Sequence, residues 1–116
     1  LAINIVQFRR YSNKYQLRLQ TRTDGAAYVN TLWRTIGDEP HRLTIGWSAA
    51  TGPGQNNGSY TFGIQRYPLN GTEWWYFKSN IDNDTRRIDS VLLGPSAGID
   101  KPTRGTYYLD GFDSWR

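Results

Sequence analysis

The sequence predicts an all-β fold, an antiparallel β-sandwich, and three observations carry that prediction. Aromatic residues make up 15% of a chain that is 37% hydrophobic, so much of its apolar mass comes as rings, which suit half-buried pleated faces. The 12 glycines are scattered with Asn, Asp, Ser and Pro in short clusters, as expected where many turns separate short strands. No stretch repeats its apolar residues at helical spacing over a helical length.

The elements follow in order. Residues 2–8, AINIVQF, are apolar and β-branched enough for a buried strand, and Ser12-Asn13 ends it in a turn. Tyr15, Leu17, Leu19 and Thr21 then alternate with Gln16, Arg18, Gln20 and Arg22, the period of a half-exposed strand. After the turn Thr23-Asp24-Gly25, the run AAYVNTLW makes a third strand ending near Trp33. Asp38-Glu39-Pro40 breaks the chain, and from His41 to Trp47 the side chains of Leu43, Ile45 and Trp47 share one face of a fourth strand. The segment TGPGQNNGS has nothing to bury and is a surface loop, and YTFGIQRY resumes the period of two. Asn70-Gly71 is a strong hairpin signal that places the start of a sixth strand near Glu73. IDSVLLG and TYYLDGF read as the seventh and eighth strands, separated by a loop over 95–105. About eight short strands at turn spacing fit a sandwich or jelly roll.

Bulk properties set the limits. A chain of 116 residues is one domain, residues 1–116, with a single core. With no cysteine there is no disulfide, thiol nucleophile or thiolate metal site. No run approaches the length of a membrane span, and the first residues read as a strand, not as a cleavable leader. The net charge of +4 is carried mainly by arginine, with pairs at Arg9-Arg10 and Arg86-Arg87 but no long basic block, so a solvated surface is expected ahead of a nucleic-acid footprint.

From Pro40 onward the words PHRLTIGW, AATGPGQNNGSYTF, IDNDTRRIDSVLLG, AGID and RGTYYLDGFDSWR carry a resemblance. The chain resembles the later, C-terminal part of a concanavalin A-like, laminin-G-like jelly-roll domain of bacterial secreted or surface proteins. Such domains carry further strands ahead of the one near Leu1, so the resemblance implies a truncated sandwich, or one completed by another segment or subunit. In RYPLNGTEWWYFKSN the sequence departs from the family's short Asp-Gly hairpin. The resemblance implies carbohydrate or surface binding, sometimes with calcium, and a secreted or cell-surface location. Fold alone assigns no function.

The run Trp74-Trp75-Tyr76-Phe77 is the most informative feature. In a strand, Trp74 and Tyr76 share one side and Trp75 and Phe77 the other, so one side is core and the other is covered, solvent-exposed or pressed on a partner. Burial on both faces, a protein interface and a sugar platform are the three readings. In the last, Trp74, Trp75 and Tyr76 stack on sugar rings while polar neighbours Gln65, Asn70, Lys78 and Asn80 bond the hydroxyls.

Asp82, Asn83 and Asp84, with Asp89 and Asp100 later, offer the oxygen ligands calcium takes, without the spacing of an EF-hand. The alternative is turn chemistry, with Arg86 and Arg87 neutralising the carboxylates. No other cofactor is expected. Catalytic templates each lack a side chain. The only glutamates are Glu39 and Glu73, each beside a turn, and the only histidine is His41, with no nucleophile elbow. The lyase templates of this fold need an arginine-glutamate strand and a Gln-x-His motif, which are missing. Sequons at Asn57, Asn70 and Asn83 read as turn chemistry.

The expectation is therefore a non-enzymatic extracellular module whose partner is a polysaccharide or surface glycan. The alternative is a structural subunit of a surface layer or filament, a homo-oligomer whose strands pair with neighbouring chains. Single-stranded nucleic acid is a minor third partner.

Overall fold

The structure, a computed structural model, describes residues 2–69 and 73–115. Its strands are β1 (Asn4–Tyr11), β2 (Lys14–Arg22), β3 (Tyr28–Asn30), β4 (Arg34–Ile36), β5 (His41–Ser48), β6 (Gly58–Arg66) and β7 (Glu73–Ile81). Every pairing is antiparallel. One sheet, A, runs β1-β2-β3 with β4 on the same side of β2 as β3; the other, B, runs β5-β6-β7. No helix among the described residues is long and apolar enough to cross a membrane.

Local chemistry sets the register of sheet A. Ser12 and Asn13 both adopt left-handed backbone, φ 48° and 60°, the two-residue turn whose twist matches that of the strands it joins. That turn aligns Val6 with Leu19 and Phe8 with Leu17. The expected third strand exists but is broken at Thr31. There Leu19 N–H donates to Thr31 Oγ1 at 3.0 Å, while Thr31 N–H donates to Leu19 O at 2.9 Å. A side-chain oxygen replaces a ladder carbonyl, and the strand continues along β2 as the separate pieces β3 and β4.

The two sheets face each other, and their inner residues make one core. Leu17 and Leu19 of β2, Tyr60, Phe62 and Ile64 of β6, and Ile81 at the end of β7 form a buried cluster. Leu19 and Phe62 are completely buried, so replacing Phe62 by Ala costs about 3–5 kcal/mol. Two antiparallel sheets packed on a shared core make the sandwich arrangement. The all-β, antiparallel architecture is as the sequence predicts. Hydrogen-bonded neighbours are close in sequence, so the described strands wind as two meanders, and the jelly-roll winding remains an expectation drawn from the resemblance.

The end of the chain is a correction. Residues 88–94 and 106–112, read as strands, form no strand, and no sheet among the described residues pairs with them. A strand holds only when its N–H and C=O groups find partners, and alternation alone supplies none. Leu92 is 76% and Tyr108 90% exposed. The Asn70-Gly71 hairpin signal lies outside the described residues, although β7 begins at Glu73 as that signal requires.

Candidate functional site

Strand pairing decides which rings of β7 meet solvent. Trp74 lies opposite Ile64 and Tyr76 opposite Phe62, so both point into the core. Trp74 meets Phe62 edge-on at 6.1 Å, and Tyr76 stacks on Tyr60 at 6.0 Å. Burial, with Tyr76 adding to it, pushes the Tyr60 hydroxyl up to about 12. Trp74 and Tyr76 are half-buried and pack against the core on the face opposite Trp75, and Trp74 also borders the cleft lined by Arg34, Arg66 and Glu73.

Trp75 and Phe77 project from the opposite, outer face. Trp75 is aligned with Gly63 and, across it, Thr44; Phe77 is aligned with Thr61 and Gly46. Gly63 has no room for a side chain because the Trp75 ring lies against it, and a Cβ there would run into that ring. The glycine lets the indole come close against the sheet. Phe77 is 70% exposed and was absent from the expected set, although its place two residues after Trp75 was the available signal.

Polar side chains border these rings. The next row holds Arg42, Gln65 and Glu73, and Gln65 Nε2 donates to Glu73 Oε2 at 2.8 Å. Gln65 lies on the same outer face as Trp75. Asn80 has left-handed backbone, φ 58°, at the β-bulge where pairing shifts between Gly58 and Tyr60, beyond the Trp75 and Phe77 rows. Asn70 lies outside the described residues.

The acidic loop divides. Asn83 is fully buried, and its Oδ1 accepts from Ala50 N–H at 2.7 Å while its Nδ2 donates to Ser48 O at 3.2 Å. It ties down the β5 end of the β5–β6 loop, and its side-chain oxygen is engaged by Ala50, so its expected metal role is corrected, and burial equally closes its sequon. Asn57 spends its amide on Thr51, the expected turn chemistry. Asp100 closes a turn of its own with Thr103.

Asp82 and Asp84 instead converge with Asp24, a turn residue between β2 and β3 that the sequence reading did not connect to them; their carboxylate oxygens lie within 4.8 Å of one another. Asp24 accepts from Thr85 N–H at 3.1 Å and Thr85 Oγ1 at 2.5 Å, and Arg86 Nε lies 3.8 Å from it. The Arg86 guanidinium also donates to Thr23 O and Asp24 O. Burial would raise the Asp24 pKa, but these hydrogen bonds, one from Asp84 and the Arg86 charge outweigh it and hold Asp24 below 3.8. Asp84 is pushed the other way, first because its protonated carboxyl donates to Asp24, then by burial and by the Asp24 charge. The cluster fits calcium poorly: it offers three carboxylates where calcium takes ~6–8 oxygens, and Arg86 already supplies the compensating charge. Its arrangement is that of a latch joining the two sheets.

Glu39 and Glu73 line one cleft with His41, Arg34 and Arg66. Each carboxylate is engaged, Glu39 with Arg66 at 3.5 Å and Glu73 with Gln65. Comparison of the chain with protein-family models, curated proteins and solved structures gives no match.

Proposed function

We propose that the protein is a non-catalytic binding module that recognises a polysaccharide or cell-surface glycan on the outer face of sheet B. The observation that carries this reading is the placement of the half-buried Trp75 and the exposed Phe77 on the outer face beside Thr44, Thr61 and Gln65. Flat rings stack on the apolar faces of sugar rings, while hydroxyl and amide groups exchange hydrogen bonds with sugar hydroxyls. Gly46 carries no side chain beside Thr61 and Phe77, so the face stays low there and a chain of sugars can lie across the strands. A secreted or cell-surface location and the concanavalin-like family belong to the same proposal and rest on the resemblance.

Affinity electrophoresis through gels holding neutral polysaccharides tests it. Retardation by at least one polymer, lost in Trp75→Ala, is the expected result. Unretarded migration on every polymer by a folded chain would remove the reading.

A second reading, a subunit that assembles by strand pairing, is favoured by a separate observation. β1, β5 and β7 are edge strands, and Val91, Leu92, Leu93, Tyr107, Tyr108 and Leu109 are exposed in segments that alternate like strands. Sedimentation should then show self-association that grows with concentration. A monomer at high concentration would count against it.

A further inference from the structure

The outer face of sheet A carries a different chemistry. Between Leu1 and Gly37 the chain has Arg9, Arg10, Lys14, Arg18, Arg22 and Arg34 against a single acid, Asp24, which the latch already uses. Leu17, Leu19 and Thr21 face the core, so Lys14, Gln16, Arg18, Gln20 and Arg22 point outward with Arg9 and Gln7 of β1. Among the described residues no carboxylate pairs with Arg9, Lys14, Arg18 or Arg22.

These guanidiniums are held in place. Arg9 Nε donates to Gln16 Oε1 at 2.8 Å, Arg18 Nε donates to Gln7 Oε1 at 2.5 Å, and Gln16 is fixed in turn by Thr35 at 3.2 Å. Trp33, which the break between β3 and β4 turns outward, has Arg9 at 4.0 Å and Arg18 at 4.5 Å from its ring centroid. Arg9 also lies over Tyr11, and Arg22 over Tyr28, to whose hydroxyl it donates. In Arg9 and Arg18 the Nε is occupied, and the terminal nitrogens have no hydrogen-bond partner among the described residues. That is the half of the guanidinium that grips carboxylate or sulfate with two parallel bonds. Two like charges on one indole repel each other unless an anion bridges them.

On the opposite side of β1 and β2, to which Phe8, Arg10 and Tyr15 project, a cleft of about 420 Å³ is lined by these three with Arg9 and Arg104. The positive surface therefore continues round the sheet's edge.

We infer that the outer face of sheet A is a second binding surface, for an acidic polysaccharide bearing carboxylate or sulfate groups. Three arginine-capped rings argue against nucleic acid. Base stacking needs free aromatic faces, and here Tyr11, Trp33 and Tyr28 each have a guanidinium over one face, which leaves fewer for bases. What the face offers a ligand is a row of forked cations, which reads acidic groups.

The test measures binding of the chain to immobilised polygalacturonate, dextran sulfate, neutral dextran and a thymidine oligonucleotide as NaCl is raised. Binding to both acidic polymers should exceed that to neutral dextran and fall steadily with salt. Arg9→Gln and Arg18→Gln should each weaken it up to about fivefold, as for an exposed charge pair. The double Arg→Lys variant, which keeps charge but loses the planar fork, should fall between, and circular dichroism checks that each variant is folded. Trp75→Ala should bind the acidic polymers as the parent does, which separates this inference from the neutral-glycan reading. No binding to either acidic polymer at low salt, binding that survives the double Arg→Gln change, or tighter binding of the oligonucleotide would each overturn it.

Discussion

The two outer faces of the sandwich each display a tryptophan, and what surrounds each ring decides what it can hold. Trp33 on sheet A is capped by Arg9 and Arg18, so its π surface is spent on positioning cations. Trp75 on sheet B is seated on Gly63, a residue without a side chain, beside the bare ring of Phe77. One face presents charge and the other presents apolar rings edged by neutral polar groups. The contrast arises from neighbours across the strands and cannot be inferred from either tryptophan alone.

Substitutions along β7 should break the contrast most sharply. Trp74→Ala removes a half-buried ring that meets Phe62 and should lower stability by about 2–3 kcal/mol in urea denaturation. Trp75→Ala should cost only about 1 kcal/mol while abolishing retardation on neutral polysaccharide. Equal stability losses for the two would mean that both faces of β7 are core.

Gly63→Ala sharpens the same comparison from beneath the ring. The new methyl collides with Trp75, and either the ring or the strand must shift, costing about 1–3 kcal/mol with weakened neutral-glycan binding. Binding to acidic polymers should be untouched. Unchanged stability and binding would show that the indole does not rest on this glycine.

The latch between the sheets gives a smaller, pH-dependent effect. The Asp24 pKa is lowered on folding, so its contribution is lost as pH falls through its folded value. The Asp84 pKa is raised, so its contribution is present in acid and lost as pH rises from 3.8 through its folded value. Asp84→Asn keeps a hydrogen-bond donor and removes the like charge, and thermal melts should show it equal to or above the parent at pH 7. Asp24→Asn should melt lower at pH 7. The reverse order would contradict the proton-sharing arrangement. Calcium at millimolar concentration should leave the melting temperature of the parent unchanged, and a rise of several degrees would turn the latch into a metal site.

Legibility in the sequence followed the range of the interaction. β2, β5 and β6 announce themselves because alternation at Leu17, Leu19 and Thr21, or at Tyr60, Phe62 and Ile64, is a local consequence of having one buried face. That Trp75 and Phe77 oppose Trp74 and Tyr76 was equally local. Which pair meets solvent was not, because it depends on the register with β6. The break at Thr31 hangs on one hydroxyl bonding Leu19, a choice that a β-branched polar residue in a strand does not reveal. Asp24 and Asp84 meet only after the chain has folded back across the sandwich, so Asn83, between two acids in sequence, was grouped with them although its amide turns to Ala50 and Ser48. The segments over 88–94 and 106–112 show the converse, a strand pattern with no edge paired to it.

The central claim, that the outer face of sheet B rather than the core side of β7 receives a neutral glycan, is tested most directly at the indole N–H groups. The chain has five tryptophans, each giving one resolvable signal in a ¹H–¹⁵N spectrum. On titration with a polysaccharide that retards the protein, the Trp75 signal should shift progressively, while those of Trp33 and Trp74 stay in place. A shift at Trp33 or Trp74 with Trp75 unmoved would contradict the account.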